Sequence, residues 1–131
     1  YLKLLPQLST FTDFDNRARF NEFVRSLTDK HQVIVMEDVQ SKLIAGTTTI
    51  FIENKCIHDF GKAGHIEDVI INKQWRGVGL GKLMIDYAVD LLKEDGCYKI
   101  ILNCSCKNEA FYAKCGFSKH GLEMSLYSAP I

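Results

Sequence analysis

Apolar side chains recur along the chain at two different spacings, and this pattern predicts its helices and strands. Between residues 80 and 94 they repeat every three or four positions, which is typical of a helix with one buried face. Gly96 follows and is expected to end that helix. A weaker helical stripe begins after Asp15, its expected N-cap, and ends before His31. The apolar members of that stripe are Ala18, Phe20, Phe23, Val24 and Leu27.

Short runs of β-branched and apolar residues predict the strands. Residues 32–36 and 43–53 are two such runs joined by a polar turn, so we expect an antiparallel hairpin. Residues 65–72 form a strand with two acidic residues inside it, and the pattern at 98–104 predicts a buried strand.

A short helix at 108–114 and a last strand at 123–127 complete the pattern. The order of elements predicts an α/β fold with a mixed, mostly antiparallel central sheet flanked by helices. No internal repeat or proline- and glycine-rich linker divides the sequence, so we expect residues 1–131 to form a single domain.

The charge balance narrows the class of partner. Lys and Arg number 16, Asp and Glu number 16, and the formal net charge is zero. Proteins that bind nucleic acid or anionic membrane surfaces carry a basic surplus, so we expect no nucleic-acid partner, and a charged ligand would have to be bound by a local cluster. No apolar run approaches the roughly 18 residues that cross a bilayer. We therefore expect a cytoplasmic protein without a membrane span.

The cysteines number five, namely Cys56, Cys97, Cys104, Cys106 and Cys115. An odd number without a Cys-x-x-Cys pair argues against a disulfide framework. Cys104 and Cys106 would share one face of a strand, but no histidine follows at metal-ligand spacing. We expect reduced thiols and no metal.

A glycine-rich segment stands between the acidic strand and the 80–94 helix, and it reads Gln74-Trp-Arg-Gly-Val-Gly-Leu-Gly-Lys82. Glycines let a ligand approach the backbone, and a helix start directs N–H groups at an anion. The expected ligand is a phosphate or pyrophosphate, and a purely structural turn is the alternative. A Walker A loop is excluded because Arg76 replaces its first glycine and Leu83 its Ser or Thr. A dinucleotide fingerprint is excluded because its third glycine comes one residue early.

The remaining pattern, Arg-x-x-Gly-x-Gly at 76–81, resembles the GNAT superfamily of N-acetyltransferases. Further segments resemble the eukaryotic glucosamine 6-phosphate N-acetyltransferase family in order and spacing. They are GHIEDVIIN (64–72), GLGKL (79–83), GCYKIIL (96–102), Asn108 with Phe111-Tyr112, and KCGF (114–117). The resemblance covers residues 8–126 and implies the GNAT fold, whose first strand and most of whose first helix would precede Tyr1.

The same resemblance implies a reaction. Acetyl-coenzyme A (acetyl-CoA) would donate its acetyl group to the 2-amine of D-glucosamine 6-phosphate in a ternary complex, as a step of UDP-N-acetylglucosamine biosynthesis. A homodimer is implied as well, with the last strands near the interface.

Cofactor binding is assigned by the resemblance to the glycine loop, to the strand before it and to two residues of the short helix. The loop would hold the pyrophosphate and the strand the pantetheine arm, with the Ile70 N–H polarising the thioester carbonyl. Asn108 is a cofactor contact or simply an N-cap. The full set is Val69, Ile70, Ile71, Arg76, Gly77, Val78, Gly79, Leu80, Gly81, Lys82, Asn108 and Tyr112.

The resemblance assigns the amino sugar to Glu67 and Asp68, with Glu67 also accepting the amine proton. In a regular strand the two would point to opposite faces, and a salt bridge beside an exposed carboxylate is the alternative. Tyr112 would protonate the departing thiolate, unless it is a buried core aromatic. The sugar phosphate is assigned to Lys55, His58 and Lys99, with a hydroxyl from Ser9, although His58 could equally be a loop histidine without a ligand.

Two positions depart from the family pattern. Asn103 stands where the family usually has an Asp that orients the amine, and it belongs to the predicted catalytic and substrate-binding set although it cannot act as a base. Tyr127 stands where the last strand usually carries an Arg near the phosphate. These departures keep two alternatives open, namely a GNAT enzyme for another small amine and a non-catalytic acyl-CoA-binding module.

Overall fold

A four-stranded sheet with the strand order β1-β2-β3-β4 organises the molecule, in a computed structural model that describes residues 1–13 and 15–128. The first three strands are antiparallel neighbours, and β4 runs parallel to β3. This confirms the predicted mixed, mostly antiparallel sheet. The strands are β1 (His31–Glu37), β2 (Ile44–Asn54), β3 (Lys62–Ile71) and β4 (Cys97–Ile101).

Helices flank the sheet. The longest, α3 (Leu80–Glu94), has the bounds that its apolar spacing predicts, and the short α4 (Glu109–Lys114) begins one residue later than predicted. The others are η1 (Leu2–Gln7), α1 (Arg17–Ser26), α2 (Ile57–Phe60), η2 (Lys73–Trp75) and η3 (Cys106–Asn108), where η denotes a 3₁₀ turn.

The core lies where α3 packs on β2 and β3. Its buried members include Ile50, Ile52 and Ile66 from the sheet with Ile85 and Leu92 from α3. Full burial of such a side chain contributes about 1.5–3 kcal/mol. This core fixes α3, and with it the glycine loop, against the end of β3.

The strand β3 is bulged in its middle. Thr49 lies opposite Glu67 and Thr47 opposite Ile70, so two residues of β3 face one residue of β2. Asp68, inside the bulge, has a left-handed φ of 50°. The bulge therefore interrupts the alternation of side chains at the two acidic residues.

The strands β3 and β4 separate at their C-terminal ends. Their pairing ends at His65 and Ile101, whereas β3 continues to Ile71. The residues after Ile101 leave the sheet, and a cleft opens between the two strands.

Three predictions about elements are wrong. The cap of α1 is Asn16, whose side chain accepts a hydrogen bond from the Arg19 N–H, instead of Asp15. The last sheet strand ends at Ile101 instead of residue 104, and Tyr98 and Lys99 are exposed because β4 is an edge strand. Residues 123–127 form no strand, since no neighbouring strand in the described part of the chain pairs with them.

Candidate active site

A cleft of about 400 Å³ lies between η1, the β3 bulge, the segment after β4 and α4. It brings together the predicted site residues Ser9, Glu67, Asp68, Val69, Asn103, Asn108 and Tyr112. The separation of β3 and β4 creates this space, and the bulge supplies its acidic wall.

Glu67 and Asp68 both line the cleft, and both are exposed. A regular strand would turn them to opposite faces, but the bulge and the left-handed Asp68 remove that alternation. Partial burial raises the pKa of Glu67 above its usual range, and the carboxylates of Asp68 and Glu123 raise it further, while His65 opposes the shift. Glu67 is thus a stronger base than an ordinary exposed glutamate.

The backbone amides of β3 alternate in direction, and this bears on the predicted role of Ile70. The Asn72 N–H donates to the Ala45 carbonyl of β2 at 2.8 Å, so Ile70, two residues earlier, also faces β2. The Ile71 carbonyl accepts a hydrogen bond from Arg76 Nε at 2.8 Å, on the other side. The Ile70 N–H therefore faces β2 instead of the cleft, and Val69 is the one of the three predicted strand contacts that lines the cleft.

Tyr112 closes the inner end of the cleft from α4. Its side chain is buried and packs edge-on against Phe111 and Phe117. Burial raises the pKa of its phenol, with smaller contributions from Cys104 and Cys115. The phenol therefore stays protonated at neutral pH and can donate a proton or a hydrogen bond.

The glycine loop lies at the start of α3 with its backbone open to solvent. Gly77 and Gly79 have left-handed φ values of 82° and 89°, and a Cβ on either would meet no atom within 4 Å beyond the adjacent residues. No side chain caps the start of this 15-residue helix. Open backbone at an uncapped helix start fits a pyrophosphate, whose charge the free N–H groups and the helix dipole would stabilise.

Contacts with β3, α3 and α4 hold the loop in place. The hydrogen bond from Arg76 to Ile71 ties the loop to the end of β3. Lys82 pairs with Asp86 one turn along α3. Gly81 packs against α4, since a Cβ there would lie 3.1 Å from the Phe111 ring. The Nε of Arg76 and the Nζ of Lys82 are thus engaged within the protein, and the open backbone of the loop offers N–H donors.

The three predicted phosphate ligands do not line this cleft. The His58 ring stacks on Tyr98 at 4.3 Å between centroids, and Lys99 Nζ lies 5.8 Å from the same ring. Lys55 pairs with Glu53, which also accepts a hydrogen bond from His65, and these contacts hold the pKa of Glu53 below its usual range.

The distance along the sheet separates these cations from the acidic residues. Lys99 lies opposite Ala63, four residues before Glu67 on β3. At about 3.3 Å per residue this is roughly 13 Å along the strand. The structure therefore brings His58 and Lys99 together at Tyr98 and pairs Lys55 with Glu53, and none of the three lines the cleft.

The sequence reasoning missed several residues of the cleft. Leu8, Ile66, Cys104 and Ser105 also line it. Residues 102–104 were predicted to remain in the sheet, so the contribution of Cys104 beside the predicted Asn103 was not expected. Gln7 was also missed; its side chain accepts a hydrogen bond from the Lys73 N–H at 3.1 Å and so ties η1 to the loop.

Other expected properties concern metals, thiols and membranes. All five cysteines are free. Within residues 1–13 and 15–128, no group of three or more His, Cys, Asp and Glu side chains is arranged to hold a metal ion. No helix of this described part is long and apolar enough to span a bilayer.

Known proteins resemble this chain in sequence and in fold. The family model described as "Acetyltransferase (GNAT) family" matches residues 4–117. A glucosamine 6-phosphate N-acetyltransferase of Arabidopsis thaliana is 43% identical over 97% of this chain and 87% of its own length. One from Dictyostelium discoideum is 40% identical over 97% of this chain and 82% of its own length. The crystal structure of the Arabidopsis thaliana enzyme superposes with a TM-score of 0.87 at 42% identity, covering 98% of this chain and 89% of that one. The chain is therefore an N-acetyltransferase that belongs to the GNAT family.

Proposed function

We propose that this protein transfers the acetyl group of acetyl-CoA to the 2-amine of D-glucosamine 6-phosphate. The observation that carries the proposal is the cleft, which holds Glu67, Asp68 and Tyr112 within one cavity. The relatives named for this activity share about 40% of the sequence over nearly the whole chain. The product, N-acetyl-D-glucosamine 6-phosphate, would feed UDP-N-acetylglucosamine synthesis.

Acetyl-CoA is the donor that GNAT enzymes use, and its thioester supplies the acetyl group. We infer that the N–H groups of the 76–81 loop bind its pyrophosphate and that the cleft side of β3 binds its pantetheine arm. Asn108 gives a further amide contact. Its side chain makes no cap hydrogen bond to α4, which leaves the amide free for a ligand and weakens the alternative of a simple N-cap.

Three chemical tasks follow for the residues of the cleft. Glu67 accepts a proton from the substrate ammonium, directly or through water, and the free amine attacks the thioester carbonyl. The N–H of Val69 or Ile71 donates to the carbonyl oxygen as negative charge develops there. Tyr112 donates to the departing sulfur. Asp68 and Asn103 orient the sugar by hydrogen bonds, and Asn103 takes no proton.

Release of free thiol tests the proposal. Purified protein with acetyl-CoA should release coenzyme A only when glucosamine 6-phosphate is added, and an equal amount of N-acetylated sugar should form. No thiol release would contradict the proposed function. Free glucosamine serves as the matched acceptor that lacks only the phosphate.

A second candidate is acetyl transfer to an amine without a phosphate. It is favoured by the position of Lys55, His58 and Lys99 outside the cleft. A panel of small amines ranked by kcat/KM decides between the two, because a phosphate site should favour glucosamine 6-phosphate over glucosamine by at least tenfold.

We also propose a homodimer of this single domain. Leu122, Met124 and Leu126 are 89–98% exposed and alternate with polar residues, as in an unpaired strand. A row of three exposed apolar side chains of this kind favours burial against another surface. Light scattering at micromolar concentration should give twice the monomer mass, and a monomer would contradict this proposal. Five free thiols favour the reducing cytoplasm as its compartment.

A further inference from the structure

The residue Thr48 lies under the β3 bulge and is completely buried. It belongs to a run of three buried threonines, Thr47, Thr48 and Thr49, in the central strand β2. A buried hydroxyl is unfavourable unless it is hydrogen-bonded. Each such hydroxyl in a core position therefore needs a partner.

The partner of Thr48 is the bulge itself. Its Oγ1 donates to the Glu67 carbonyl at 3.0 Å. At a bulge the regular ladder between two strands is locally broken. Here a side-chain hydroxyl supplies a donor to the residue that precedes the left-handed Asp68.

The conformation at Asp68 needs such support. A non-glycine residue with left-handed φ costs about 1–2 kcal/mol, and an antiparallel strand without the bulge has no such residue. Without the bulge, the residues of β3 on one side of Asp68 would pair with β2 one position further along. Such a one-residue shift in register turns side chains to the opposite face of the sheet. The orientation of Glu67 relative to Val69 and Ile71 therefore depends on the bulge.

We propose that the Thr48 hydroxyl is a positioning group for the reaction, because it holds the bulge that sets Glu67, Asp68 and the Val69 amide on the cleft. Thr48 does not line the cleft and is not itself a catalytic residue. The kinetic part of this inference rests on the proposed acetyl transfer.

The chain offers a matched control. Thr47 is also buried, and its Oγ1 donates to the Ile34 carbonyl of β1 at 2.8 Å, on the side away from β3. Thr47→Val and Thr48→Val each remove one buried hydroxyl and keep a similar volume and β-branching. Similar losses of melting temperature, a few degrees each, are expected.

Only Thr48→Val should change the site. We expect its kcat to fall at least tenfold while KM for acetyl-CoA changes less than threefold, since the glycine loop is untouched. The pH dependence of kcat/KM should shift as well, because the surroundings of Glu67 change. Thr47→Val should keep kcat within twofold. Equal kcat values in the two variants would overturn the proposal.

Two further measurements cover other outcomes. If Thr48→Val does not fold, two other variants test the proposal. Thr48→Ser keeps the hydroxyl and should keep kcat within threefold, whereas Thr48→Ala should lower kcat at least tenfold. Equal losses of kcat in the two variants would overturn the proposal. Amide hydrogen exchange at Ile70, whose N–H faces β2 beside the bulge, should be at least tenfold faster in Thr48→Val than in Thr47→Val. If wild-type protein acetylates no amine, the proposed function fails, and the exchange rates alone decide whether the hydroxyl holds the bulge.

Discussion

The proposed cofactor side, which is the glycine loop at 76–81, and the proposed acceptor side, which is the cleft, are built in different ways. The cofactor side is a glycine loop followed by a regular helix, α3, whose bounds follow from local spacing. The acceptor side combines a bulged strand, a 3₁₀ turn and a segment that has left the sheet. On the proposed function, the first would present backbone N–H groups to an anion, and the second would present side chains to an amine. Binding and turnover should therefore respond to different substitutions.

Removal of the proposed base on the acceptor side should have the largest effect. We expect Glu67→Gln to lower kcat by about 10²–10⁴, the usual contribution of general base catalysis, with acetyl-CoA affinity unchanged. Glu94→Gln, an exposed change on α3, is the control. If calorimetry finds the Glu67→Gln protein unable to bind acetyl-CoA, the division between the two sides fails.

The pH profile sharpens the same point. A base must be deprotonated to act, so the rate should rise as pH increases through the pKa of Glu67. Burial raises that pKa, so the acid limb of kcat/KM should lie above the ordinary glutamate value of about 4.3. Glu67→Gln should remove this limb, and a limb that survives the substitution would assign it to another group.

A negative charge introduced into the glycine loop should weaken the binding of acetyl-CoA. Gly79→Glu combines a left-handed residue with a carboxylate near the expected pyrophosphate. Repulsion between this carboxylate and the pyrophosphate should weaken the Kd for acetyl-CoA about 100-fold, which is about 2.7 kcal/mol. Gly96→Glu, at a φ of 82° beyond the other end of α3, introduces comparable strain without the anion. Calorimetry should find Gly96→Glu close to wild type, and unchanged affinity in Gly79→Glu would contradict the assignment of the loop.

Tyr112 lies where the two sides meet, and its loss should be milder. We expect Tyr112→Phe to lower kcat about tenfold, because a thiolate with a pKa near 8.5 leaves readily with little help from an acid. The exposed Tyr87→Phe is the matched control. An unchanged kcat would reduce Tyr112 to a packing role.

The smallest effect is expected from Asn103→Asp. A carboxylate at this position in the cleft would disfavour the charged form of Glu67 and so raise its pKa. The acid limb of kcat/KM should move upward by less than about one pH unit, without a new limb. A large rise of kcat at neutral pH would instead indicate that a carboxylate at residue 103 acts as a base, which Asn103 cannot do.

The sequence predicted well what depends on neighbours along the chain. The α3 pattern, the β1–β2 hairpin and the glycine loop are local, because spacing, turn residues and glycines fix them. The bulge at Asp68 was not predicted, because it depends on the register between two strands and on a hydroxyl from Thr48. The departure of residues 102–104 from the sheet was missed because the apolar residues before them continue as Leu102 in a strand-like pattern.

The candidate site followed the same division. Glu67, Asp68, Asn103, Asn108 and Tyr112 were expected together and lie in one cleft. The amide direction at Ile70 was not accessible, since the phase of a hydrogen-bond ladder cannot be derived from composition. The distance of Lys55, His58 and Lys99 from the cleft was likewise not accessible. It depends on the end of the sheet at which each strand begins.

The opening between β3 and β4 also has a thermodynamic consequence. Beyond His65 and Ile101 the two strands no longer pair, so a cofactor arm bound along β3, as proposed, would add contacts to the part of the sheet that lacks them. A ligand that binds only the folded chain stabilises it by about 2.7 kcal/mol at 100 times its Kd. The lifetime of the protein in a cell would then rise and fall with the supply of acetyl-CoA, because the unfolded fraction is what proteases remove.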